Sequence, residues 1–149
     1  MAPVLVRDVM EEKVVTISVG DRLSTVEDIM TLGGVRHMPV VRAGRLVGVV
    51  SERDLLRASL SSLDPRRQER RAFLEAIDIS QVMSAPPVIV DADAPVEEAA
   101  RVMADNKIGC LPVMRGEELV GMLTETDLLR YFADLVTRDA QAAGPRSGR

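Results

Sequence analysis

The sequence predicts an α+β protein made of two β-α-β-β-α repeats packed about a pseudo-two-fold axis. The first observation behind this is internal duplication. The stretch from Arg7 to Arg57 returns from Ser80 to Arg130 at a constant offset of 73 residues. Val9-Met10 answers Val82-Met83, Met30 answers Met103, Pro39-Val40 answers Pro112-Val113, and Asp54-Leu55-Leu56-Arg57 answers Asp127-Leu128-Leu129-Arg130. A register held through strands, turns and helices marks two copies of one supersecondary unit, each too small to bury its apolar face alone. The second observation is that short β-rich runs alternate, in each copy, with apolar residues at helical spacing.

Each element follows from local pattern. Val14-Val15-Thr16-Ile17 reads as a first strand; its counterpart Val88-Ile89-Val90 follows Pro86-Pro87, which can begin a strand but not occupy its middle. Leu23, Val26, Ile29 and Met30, and then Val96, Ala99, Ala100, Val102 and Met103, recur at helical spacing, with Asp93 and Pro95 reading as a cap and first turn. Val35 to Val41 and Arg45 to Val50, on either side of Arg42-Ala43-Gly44, give a strand-turn-strand signal repeated by Ile108 to Met114 and Leu119 to Leu123 around Gly116. A further helix opens at Ser51 and at Thr124. The predicted organisation is a first repeat over 4–60, a charged helical linker over 61–78, a second repeat over 79–137 and a polar, disordered tail over 138–149. The linker, Asp64-Pro65-Arg66-Arg67-Gln68-Glu69-Arg70-Arg71 followed by Ala72-Phe73-Leu74-Glu75-Ala76-Ile77, reads either as a solvated helix or as a docking surface for an acidic partner.

Composition narrows the class. With no Trp, one Tyr and two Phe, the core must be packed by Val, Leu, Ile, Ala and Met. A net charge of −4 argues against a nucleic-acid surface, which rests on Lys and Arg neutralising phosphates. The single cysteine excludes an internal disulfide and a cysteine-based metal site, and fits a reducing compartment. No basic start precedes an apolar core at the N-terminus, and no apolar run approaches the ~20 residues that span a bilayer, so the expectation is a cytoplasmic protein without membrane contact.

The strongest local constellation is Gly48-Val-Val-Ser51-Glu-Arg53-Asp54, echoed by Gly121-Met-Leu-Thr124-Glu-Thr126-Asp127. A strand ends in a hydroxyl residue, and a carboxylate follows three positions later. One reading is a helix capping box worth about 1 kcal/mol. Another uses the same atoms: free amides at a helix start favour anions, and an ionised Asp accepts two O–H donors, as from a ribose diol. Arg36 and His37 enter the preceding strand within reach of this corner if the last two strands pair. Arg36 offers a planar fork for phosphate oxygens and His37 a ring N–H donor; the alternative is that both are exposed strand-end residues. The second copy reads Gly109-Cys110 in their place, and Thr126 stands where Arg53 does, so the two corners differ in charge. No GxSxG, Walker, GxGxxG or HExxH motif occurs, and one His with one Cys builds no usual metal cluster. The expectation is a protein that is not an enzyme and has no metal or cofactor.

The doubled unit, with its segments VRHMPVV, GRLVGVVSERDLLRA, KIGCLPVM and ELVGMLTETDLLR, resembles a tandem pair of cystathionine-β-synthase (CBS) domains, or Bateman module, over about Val4 to Val136. The resemblance implies a regulatory module that binds adenosine-containing ligands in clefts between the copies and assembles as a homodimer. It places a ribose-binding aspartate at Asp54 and at Asp127. The first cleft then comprises Arg36, His37, Met38, Pro39, Ser51, Arg53 and Asp54, with Pro87 and Val88 against the adenine. The second comprises Gly109, Cys110, Leu111, Pro112, Thr124, Thr126 and Asp127, with Val14 and Val15. AMP, ADP or ATP are the ligands it implies, S-adenosylmethionine less so. Gly109 and Cys110 depart from the charged pattern, which makes the Asp54 cleft the better anion site. The competing reading is a ligand-free dimerisation or protein-interaction module.

Overall fold

The computed structural model describes residues 2–60 and 67–144. The chain divides into two compact units, Lys13–Val88 and Met1–Glu12 with Ile89–Arg149. Each is built on a three-stranded sheet.

In the first unit, β1 (Ile17–Ser18) is followed by α2 (Leu23–Gly33), β2 (His37–Arg42), β3 (Arg45–Ser51), α3 (Glu52–Leu60), α4 (Arg67–Ala76) and α5 (Ile79–Val82); α1 (Val6–Val9) precedes them in the chain and belongs to the second unit. The sheet order is β1-β2-β3, with β1 parallel and β3 antiparallel to β2. In the second unit, β4 (Val90–Asp91), α6 (Val96–Asn106), β5 (Cys110–Arg115), β6 (Glu118–Thr124) and α7 (Glu125–Ala142) repeat the plan in the order β4-β5-β6. The α+β class and the repeated unit are therefore as predicted.

The first strands are shorter than the sequence suggests. Val14–Thr16 lie outside β1, because β1 pairs with β2 alone and its ladder starts only at Ile17 opposite Val40. Ile17 is 2% exposed while Val15 is 48% exposed. The α2 and α6 spacings each bury one stripe, Leu23, Val26 and Met30 in the first and Val96, Ala99 and Met103 in the second. Asp93 does not cap α6. Pro95 is the N-cap residue, and the Asp93 carboxylate instead pairs with Arg7.

Two elements escape the sequence pattern: α1 and α5. Helices of one turn have little intrinsic stability. They are held by burial of Val6 and Ile79, both 0% exposed, each worth roughly 1.5–3 kcal/mol. In α1 the Asp8 carboxylate also accepts from Leu5 N–H at 2.9 Å. After each, the chain makes one reciprocal backbone bridge to the third strand of its unit: Ser84 with Val49 at 2.9 and 3.1 Å, and Glu11 with Met122 at 2.9 and 3.0 Å. Each compact unit thus takes its one-turn helix from the segment that precedes the other unit's first strand.

These bridges explain two glycines. A Cβ at Gly48 would lie 2.7 Å from Met83 Sδ and 2.9 Å from the Ser84 carbonyl oxygen; at Gly121 it would lie 2.5 Å from Met10 Sδ and 2.9 Å from the Glu11 carbonyl oxygen. A methionine tip can swing away, but a hydrogen-bonded carbonyl cannot. Gly48→Ala and Gly121→Ala are each expected to cost about 1–3 kcal/mol, read by urea denaturation. Unchanged midpoints would show that the bridging segments yield freely.

Of the segment predicted as linker helix, residues 67–76 form α4 and 61–66 lie outside the described residues. Leu74 is 2% exposed within the first unit's core beside Val26, Met30 and Leu55, so α4 is part of that core. The predicted disordered tail begins within a helix: α7 runs on through Arg138-Asp139-Ala140-Gln141-Ala142, where alanine and glutamine favour helix. Residues 145–149 lie outside the described residues.

Candidate functional site

The Asp54 corner is built where β3 passes into α3. Ser51 N–H donates to Asp54 Oδ2 at 2.8 Å, and Asp54 N–H donates to Ser51 Oγ at 3.1 Å. This is a reciprocal capping box, and both residues are half-buried. Among the described residues Asp54 Oδ1 carries no hydrogen bond, and Ser51 Oγ serves the cap as an acceptor, which leaves its proton available to donate. The cap and a ligand site are thus compatible, because the cap uses one carboxylate oxygen.

Strand pairing brings the basic residues to this corner. His37 stands directly opposite Ser51 in the antiparallel ladder, and the Arg36 carbonyl accepts from Glu52 N–H at 2.8 Å. His37 is half-buried and Arg36 exposed. The Arg36 guanidinium lies 3.8 Å from the Glu52 carboxylate, both well exposed, so this pair is weak and an anion can displace it. Glu52 is a site neighbour that sequence reasoning missed; its position one residue after the hydroxyl is the signal. Arg53 is exposed on the first turn of α3, with no ion pair among the described residues. Met38 is buried in the core at 0% exposure and Pro39 is buried too, so at this end of the strand the polar groups accessible to a ligand are those of Arg36, just before β2, and half-buried His37. Pro87 is half-buried and Val88 is 40% exposed; both belong to the same unit, and among the described residues neither is hydrogen-bonded to the corner.

The second corner repeats the geometry with different chemistry. Thr124 N–H donates to Asp127 Oδ2 at 2.9 Å and Asp127 N–H to Thr124 Oγ1 at 3.2 Å. Cys110 stands opposite Thr124, and the Gly109 carbonyl accepts from Glu125 N–H at 3.0 Å. Cys110, Leu111 and Pro112 are buried and Thr126 is exposed. The strand entry carries Gly109 and Cys110 where the first corner carries Arg36 and His37. Val14 and Val15 belong to the other compact unit. Asp127 also sits at one end of a groove of about 440 Å³ between α1 and α7, lined by Asp8, Val9, Tyr131, Leu135 and Arg138 among others. Sequence reasoning missed this groove because α1 itself gave no periodic signal. Among the described residues no group of three or more His, Cys, Asp or Glu side chains gathers as a metal site, and no helix is long and apolar enough to cross a membrane.

Comparison with known proteins agrees with this architecture. The family model for the CBS domain matches twice, over residues 6–61 and 79–134, together more than half of the chain. A CBS domain-containing protein of Dictyostelium discoideum is 32% identical over 147 residues, covering 97% of this chain and 99% of its own length. Other curated relatives are longer, and the chain spans 47% of one from Methanocaldococcus jannaschii that is 28% identical. The crystal structure of a protein described as an acetoin utilization protein of Vibrio cholerae superposes with a TM-score of 0.77 at 30% identity, covering 94% of this chain and 98% of that one. The CBS domain pair of protein MJ0100, crystallised with 5′-methylthioadenosine and S-adenosyl-L-methionine, superposes with a TM-score of 0.76 over 89% and 98% of the two chains; at 24% identity it shows the shared fold. The duplicated unit, the two equivalent corners and the double family match lead to one conclusion: this chain belongs to the CBS domain family, as a tandem pair.

Proposed function

We propose that this chain is a non-catalytic, ligand-responsive regulatory module that binds an adenosine nucleotide of the AMP, ADP or ATP type at the Asp54 corner. The observation that carries the reading is the free Asp54 Oδ1. One carboxylate oxygen closes the α3 cap with Ser51, and the other is left by the cap to accept, in a half-buried residue on the same helix turn as exposed Arg53 and across the strand entry from exposed Arg36. A ribose diol donates to the carboxylate, while phosphate oxygens meet the guanidinium groups and His37. The Asp127 corner offers the same diol acceptor without the cations, so it takes phosphate less well. S-adenosylmethionine, with no phosphate, gains little from the Arg36 side. The module works in the cytoplasm as a homodimer, and ligand binding shifts the population of a surface presented to a partner.

The test is thermal unfolding of the chain with AMP, ADP, ATP and S-adenosylmethionine. A nucleotide present at ~100 times its dissociation constant adds about 2.7 kcal/mol. For a chain of this size that is roughly 5–11 °C in midpoint. The competing reading, an interaction module in which both carboxylates serve only as caps, predicts no shift with any of the four.

A further inference from the structure

The methionines of the chain fall into two groups. Met30, Met38, Met103, Met114 and Met122 are each 8% exposed or less. Among the described residues, Met10 and Met83 are the two that are only partly buried, each packed at the margin of its unit's core. They hold the same place in the repeat, 73 residues apart. Met10 also lines an open depression of about 620 Å³ with Arg7, Glu12, Arg115 and Leu119, which gives a small solute access to it.

Each thioether sits where a bridging segment joins its sheet. The third strands, β3 and β6, are edge strands, whose outer backbone groups lack a ladder partner. The residue after each methionine supplies one: Ser84 exchanges both backbone hydrogen bonds with Val49, and Glu11 with Met122. Immediately before these bridged strand residues, Gly48 and Gly121 let the sulfur lie against bare backbone. A Cβ there would stand 2.7 Å from Met83 Sδ and 2.5 Å from Met10 Sδ. An oxygen added to the sulfur on the strand side therefore has no room. One added on the other side carries a strong dipole, which water solvates and an apolar core does not. In both cases the side chain is driven off its glycine.

We propose that Met10 and Met83 are a matched pair of oxidation sites, through which a hydroperoxide loosens the two bridging segments from β3 and β6. The peroxide O–O bond breaks, one oxygen bonds to Sδ, and the other leaves as water or an alcohol. Sulfur gives up two electrons and the peroxide takes them. Methionine sulfoxide reductase reverses the step. The inference goes beyond the nucleotide reading and stands without it.

The test exposes the full chain to graded hydrogen peroxide and locates the added oxygen by peptide mass spectrometry. Met10 and Met83 are expected to gain oxygen roughly tenfold faster than the five buried methionines, whose oxidation waits on opening of the core. Hydrogen exchange is then expected to accelerate at the amides of Glu11, Val49, Ser84 and Met122 ahead of the rest of β3 and β6. The urea midpoint is expected to fall by about 0.5 M, and the reductase to restore it. Met10→Leu combined with Met83→Leu keeps the apolar volume without the sulfur, and should hold its midpoint through the same treatment. A buried methionine oxidised first overturns the proposal, as does oxidation of both sites with the four amides and the midpoint unchanged. An equal fall in the leucine variant also overturns it, because the oxidant then acts elsewhere. The mapping and exchange are read on the unsubstituted chain, so they decide the matter even where the double variant fails to fold.

Discussion

Asp54→Ala is expected to weaken adenine nucleotide binding at least tenfold and to remove about 1 kcal/mol of stability. The binding loss follows from geometry. Asp54 Oδ2 is engaged by Ser51 N–H, so the diol rests on Oδ1, and a hydrogen bond to a charged acceptor contributes about 1.5–3 kcal/mol, or roughly 10- to 100-fold. The stability loss comes from the broken cap. Asp54→Asn separates the two, because an amide oxygen still accepts from Ser51 N–H while the charge is gone. Titration calorimetry reads the first effect and urea denaturation the second. Asp127→Ala loses the same cap with a smaller loss of nucleotide affinity, since no cation stands at Gly109 or Cys110. Equal affinity losses at the two aspartates would remove the claimed asymmetry.

Leu74→Ala carries the largest expected cost in stability, about 2–5 kcal/mol, because a fully buried leucine leaves a cavity as well as lost contacts. By sequence this residue lies between the repeats, in a segment that reads as solvated linker or docking surface. Its burial beside Met30 and Leu55 makes α4 part of the first unit's core. Leu129→Ala is the matched control. At 67% exposure it is expected to change stability by no more than about 0.5 kcal/mol. A small effect of Leu74→Ala would detach α4 from the core.

What was legible in the chain was whatever recurs or has a period. The offset between Asp54 and Asp127 exposed the duplication, and the stripes Leu23-Val26-Met30 and Val96-Ala99-Met103 gave α2 and α6. The hairpins were legible from apolar runs flanking Gly44 and Gly116. Their pairing then brought His37 opposite Ser51, as the reading of the corner required. What escaped was set by tertiary contact. Val9-Met10 and Val82-Met83 were visible as a repeated pair, but one-turn helices leave no periodic trace. Their purpose emerges only when Met10 and Met83 are seen against Gly121 and Gly48. The first strands are shorter than the β-branched runs at Val14 and Val88 suggest, because propensity is local whereas a ladder partner decides where a strand begins. The Asp93 cap failed for a related reason: Arg7, distant in sequence, claims its carboxylate.

The central claim is that the Asp54 corner holds an adenosine nucleotide, and a crystal structure of the full chain grown with AMP or ATP tests it most directly. The account predicts the ribose hydroxyls on Asp54 Oδ1, with phosphate oxygens toward Arg36, His37 and Arg53. Crystals at saturating nucleotide with the Asp54 corner vacant, or with the nucleotide bound elsewhere, would contradict it.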